Sequence, residues 1–224
     1  MTPLSPPAPG RLIAALALVP ATALIAIAAV PHVLTAPSSA KLIPIGIAAL
    51  TAVYAGAFAV LWRRPARSDW LGIRIGILAG VLWSIEIYVG GPARVSYDVE
   101  QAIGGTMAAA AAILTLAAGP LVRRHRASPR ATLAAGAYAG LTSGVFLFVF
   151  ATLMTLLTLG ALAGRSDYRH QFTTSGARTI HAFLIQDILT GASAHLVLNP
   201  LLGLVGSGLA VLMIRRDRAR RADA

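Results

Sequence analysis

Glu86 stands in the apolar run between Trp83 and Tyr88, and Asp187, His195 and Asn199 stand in another run near the end of the chain. An ionisable side chain at the centre of a membrane helix costs from ~2.5 kcal/mol upward, so each needs a reason to be there. A carboxyl such as Glu86 can carry a proton, bind a cation, or hold two helices together as a protonated or paired group. Asp187, Gly191, His195 and Asn199 recur every fourth residue and therefore follow one slowly drifting stripe of a helix. Pro200 follows Asn199 directly, lacks an N–H and displaces the carbonyl of Leu196, so a kink is expected there. A kinked helix with Asn and His beside a freed carbonyl is one way binding sites are built inside membranes.

Spacing also sets an expected depth. Glu86 lies ~24 Å along a helix counted from Trp70, in the outer third of a bilayer. Counting ~20 residues back from Arg215 reaches His195 at similar depth, with Asp187 above it at the interface. A Glu86–His195 pair, flanked by Asp187 and Asn199, is the constellation that these positions assemble. Ser143 and the hydroxyls of Thr142, Thr152, Thr155 and Thr158 are expected to bond back to their own helix and to do nothing else.

Other chemistries fail on composition or spacing. The chain has no cysteine, which removes thiolate metal sites, iron–sulfur clusters and cysteine nucleophiles. His170 and His181, with Asp167, fit no zinc signature, so no metal is expected. Lys41 stands at a predicted helix boundary, so no lysine is placed to form a retinal Schiff base. A bis-histidine haem site would need a second intramembrane histidine besides His195. No phosphate-binding loop, nucleophile elbow, zincin or dinucleotide motif is present. No cofactor and no catalytic pair can be assigned.

The elements that position these residues are helices in a membrane. Hydrophobic residues make up 57% and charged residues 12%, against about 25% charged in soluble chains. Mean hydropathy is +0.74. The fold class expected is all-α, a polytopic integral membrane protein with six transmembrane helices at about 12–30, 42–62, 71–90, 102–122, 132–160 and 182–214. Barrel strands would alternate polar and apolar residues, and the alanine run 108–112 does not. The first apolar run exceeds the ~7–15 residues of a signal-peptide core, so a retained helix is expected. A Pro-rich flexible tail, 1–11, precedes it, and a basic tail, 215–224, follows the last helix.

The net charge of +11 does not point to nucleic acid, because the positive residues fall in short loops between apolar runs. Thirteen of them fall on one side of the predicted topology and five on the other. The positive-inside rule then puts both termini in the cytoplasm, and the expected location is a bacterial cytoplasmic membrane. Arg74, near the start of the third segment, can snorkel to headgroups.

Two glycine triplets, Gly72–Gly76–Gly80 and Gly136–Gly140–Gly144, begin the third and fifth segments. Glycine every fourth residue leaves a groove in which another backbone can approach closely. The fourth segment, rich in Ala and Gly, is expected at the centre, and segments three–four and five–six resemble a duplicated hairpin. Two functions fit: a small transport or channel-type subunit with a polar site in the outer third of the membrane, or a non-transporting sensor, regulatory or assembly subunit docking through the glycine grooves. Expected partners are the lipid bilayer, anionic lipids at the cytoplasmic face, and another membrane subunit or a second copy of the chain.

Overall fold

The computed structural model describes residues 67–93, 95–124 and 128–222. Predicted segments 12–30 and 42–62 and the tail 1–11 lie outside the described residues. Five helices follow one another: α1 (Arg67–Gly90), α2 (Tyr97–Arg124), α3 (Pro129–Ala163), α4 (Ser166–Ser175) and α5 (Ile180–Ala222). Four of them, α1, α2, α3 and α5, are long and apolar enough to cross a membrane. The described chain is all-α, with the spans of a multi-pass membrane protein.

Each long helix outruns its apolar core for a local reason. Asp69 lies in the first turn of α1, and Asp98 and Glu100 in that of α2. Negative charge there complements the helix dipole, so the helix starts before hydropathy would begin it. Ser128 caps α3, its hydroxyl accepting from the Ala131 N–H at 3.2 Å, and Pro129 takes the first turn, where a missing N–H is harmless. Thr179 receives the Ala182 N–H at the start of α5 in the same way. At its other end α5 continues past Ile214 to Ala222, into the stretch expected to be a tail.

One expectation needs correction. The polar stretch between α3 and α5, read as a loop, contains the helix α4. Asp167 lies in its first turn, and Gly176, at φ 70°, ends it in a left-handed conformation that other residues adopt poorly. Hydropathy is blind to a short helix with no buried residue. The helix α5 includes Pro200 as one continuous element. A proline removes one bond from the ladder, and here α3 supports the site: Gly140 lies directly against the Asn199 carbonyl and the Cα of Pro200.

Around the bundle the order is α1, α3, α5, α2, with α3 making the most extensive contacts and α2 also touching α3 across the middle. α1 and α3 run parallel, and α2 and α5 run opposite to both. Backbone approach through glycine sets these contacts. Gly72 and Gly76 face the carbonyls of Ala135 and Ala139, and Gly80 faces Phe146. Gly136 lies against Gly203 and Ser207, while Gly140 takes the Asn199–Pro200 backbone; Gly144 is buried on the same helix. Among the described helices α3 makes the most contacts, and α2, the small fourth segment, touches α1, α3 and α5. A residue at Gly206 would strike the carbonyl of Leu116, the one that Pro120 leaves without its usual helical donor.

Candidate functional site

Asn199 is fully buried, and its fixed point is α3: the Asn199 Nδ2 donates to the Ser143 Oγ at 3.1 Å. Ser143, expected only to bond back to its own helix, is the acceptor that orients this amide. Thr152, Thr155 and Thr158 do bond back, to Phe148, Ala151 and Met154. With Nδ2 committed, the Asn199 Oδ1 is buried without a hydrogen bond of ordinary geometry, and the His195 side chain is the neighbour that interacts with it. One turn earlier on α5, the half-buried His195 has its Nδ1 in the same condition. Its ring meets Trp83 of α1 edge-on, centroids 4.5 Å apart and planes at 62°. The Trp83 Nε1 is the third buried polar atom without a partner, on a residue only 8% exposed.

Trp83 and His195 thus join α1 to α5 across the diagonal of the bundle. The wall around them is apolar: Ala79, Ala111 and Leu147 pack with Trp83, and Phe148, Ala192 and Leu196 lie on the α5 side. A buried donor or acceptor left unmatched costs about 1–3 kcal/mol, and native interiors hold few of them. One donor, one acceptor and one imidazole nitrogen of either character, all within one cluster, are a set able to receive a polar guest or a proton. The Ser207 Oγ is also buried without a partner, but it is wedged between Gly119 and Gly136 at a close-packed crossing.

The expected Glu86–His195 pair does not form. Neither a hydrogen bond nor an ion pair joins them. Glu86 is one turn from Trp83 on α1, about 4.5 Å nearer the α4 end, and leans on α2. Its Cγ is 3.7 Å from where a side chain at Gly104 would start, and Glu100 is the charge that acts on it. His195 and Asn199 stand near the middle of the span Ile180–Met213. Asp187 is exposed, two turns closer to α4 than His195, and its charge reaches Tyr168.

The α4 end of the bundle is a polar corner that the spacing arguments missed. Arg165 donates to both Asp167 oxygens, at 3.0 and 2.7 Å, and to the Gly91 carbonyl in the turn after α1. Its guanidinium also lies 5.3 Å from the Tyr168 ring centroid. Arg165 holds the Asp167 carboxyl below the ordinary carboxylate range, and the pairing raises Arg165 in turn. Burial pushes the Tyr168 phenol up, against the pull of Arg165. The Glu100 Oε1 sits 3.6 Å from where a side chain at Gly90 would begin, so Glu86 and Glu100 lie directly beneath this corner. His170 and His181 are exposed, and no group of three potential metal ligands occurs among the described residues.

Compared with known proteins, the chain matches no family model, no curated protein and no solved structure. What it does must be argued from this geometry.

Proposed function

We propose that the chain is a small transport-type membrane subunit whose polar site is the Trp83–Ser143–His195–Asn199 cluster. The observation that carries this reading is the set of three buried polar atoms, Trp83 Nε1, His195 Nδ1 and Asn199 Oδ1, that α1 and α5 bring together without a hydrogen bond of ordinary geometry. Glu86, Glu100 and Asp187 make the α4 end the acid-rich approach, and the cluster lies one to three turns further in. The cluster itself carries no formal charge when His195 is neutral, so it suits a proton or a small polar solute better than a permanent anion. His195 is the group whose ordinary titration range spans neutrality, which makes the proton the first cargo to test.

The alternative reading, a sensor, regulatory or assembly subunit, rests on the Arg-rich stretch after Ile214 more than on the two glycine triplets. Gly72, Gly76 and Gly80 face α3, and Gly136 and Gly140 face α5 of the same chain. The test is flux into liposomes containing the purified protein, driven by a potassium diffusion potential and read with an internal pH dye. Proton flux above that of empty vesicles, reduced at least tenfold by His195→Phe and by Asn199→Leu, is the expected result. Parallel assays use monovalent cations and small neutral solutes. Absence of flux for all of these, or flux indifferent to both substitutions, rules the reading out.

A further inference from the structure

At the end of the bundle away from α4, a groove of about 610 Å³ runs between α2 and α5. Ala117 and Gly206 floor it, Leu116 and Leu209 wall it, and Pro120 and Arg123 stand toward its end. Its origin is local. Gly206 brings α5 onto the Leu116 carbonyl, and Gly119 takes Ser207, so the helices touch along small residues while larger neighbours flare outward. Ile113 and Leu209 are 64% and 52% exposed, so the groove opens to the outside of the bundle.

We propose that this groove is a binding site for one anionic phospholipid, an acyl chain in the slot and the phosphate at Arg123. Its volume falls within the ~300–1,000 Å³ of sites that enclose small ligands. The rest of the argument is charge. The slot leads to a guanidinium in the basic run Arg123-Arg124-His125-Arg126. Basic sites between membrane helices on one face are suited to anionic headgroups. Arg123 already has a partner within the chain, but a guanidinium carries five donors in a fork that matches two phosphate oxygens. In a bilayer every acyl chain is equally apolar, so the slot fixes where the lipid lies and Arg123 selects which lipid it is. The site is independent of whether the chain transports anything.

The test is native mass spectrometry of delipidated full-length protein with equimolar phosphatidylglycerol and phosphatidylcholine of identical chains. The parent should retain one phosphatidylglycerol at least fivefold in preference to phosphatidylcholine. Arg123→Gln should reduce that preference below twofold, whereas Arg130→Gln, at an exposed position of the same end, should keep it. Ala117→Phe, which fills the slot, should reduce retention of both lipids. If Ala117→Phe fails to fold, the two arginine variants decide alone. Equal retention of the two lipids by the parent, or a preference that survives Arg123→Gln, overturns the proposal. So does a dimer that Ala117→Phe dissociates with no dependence on lipid, since the groove would then be an interface between copies.

Discussion

At the scale of single residues, the Asn199–Ser143 bond is the hinge of the argument, because it fixes which Asn199 atom is left unmatched. Ser143→Ala should leave the buried Asn199 Nδ2 without its acceptor and lower stability by about 1 kcal/mol. Asn199→Leu removes the amide altogether, and in that background Ser143→Ala should cost almost nothing. Unfolding in mixed micelles of the two single variants and the double variant measures the difference; simple additivity would show that the bond contributes nothing. The Arg165–Asp167 pair gives a pH prediction of definite sign. Asp167 is held below its ordinary value of 3.8 in the folded chain. Its contribution is therefore present above that value and lost as the pH falls through the lower, folded one. Both side chains are partly exposed, so the effect is small and local. Amide exchange in α4 should rise on acidification below pH ~4, and in Arg165→Gln the acid-dependent part of that rise should disappear.

At the scale of elements, the bundle is built where helices have no side chains to keep them apart. A Cβ at Gly203 would lie 2.1 Å from the Gly136 carbonyl, and one at Gly140 2.3 Å from the Asn199 carbonyl; nothing lies near Gly208. Gly203→Ala should therefore destabilise by about 1–3 kcal/mol, as overpacking against a backbone does. Gly208→Ala should be neutral or slightly stabilising, since alanine is the better helix former. Equal effects of the two in thermal unfolding would mean that the close crossing does not hold the bundle. The four described spans were legible because ~20 apolar residues between charged turns have few other solutions in lipid. The helix α4 was not, because a mostly polar stretch of ten residues carries no hydropathy signal and its helix depends on Asp167 and Gly176. The stripe on α5 was legible as His195 and Asn199, yet its partners were not. Which residue of another helix faces His195 depends on rotation and register, and these are set by glycine contacts that spacing within one helix cannot reveal. Trp83 therefore passed as an ordinary apolar residue, and Glu86 was assigned to the wrong neighbour.

At the scale of the whole molecule, charge is sorted along the bundle axis. Five of the eight acidic residues, Glu86, Asp98, Glu100, Asp167 and Asp187, belong to the α4 end. Arg123 and Arg130 mark the opposite end, where the sequence adds Arg124 and Arg126. An arrangement of this kind is what the positive-inside rule selects, and it predicts that the turn around Ser128 faces the cytoplasm and α4 faces outward. The proposed entry past Glu100 and Glu86 would then open to the outside, and the anionic-lipid groove would meet the inner leaflet, whose surface potential attracts arginine. The absence of cysteine makes this directly measurable, since an introduced thiol has no background. Ser175→Cys, exposed at the end of α4, should react with a membrane-impermeant maleimide in intact cells. Ser128→Cys should react only after the cells are permeabilised, though it sacrifices the α3 cap and about 1 kcal/mol with it. Arg130→Cys, exposed two residues further on, provides the same readout with the cap intact. Labelling of Ser175→Cys only after permeabilisation, with Arg130→Cys open from outside, would invert the molecule and place the acidic approach in the cytoplasm.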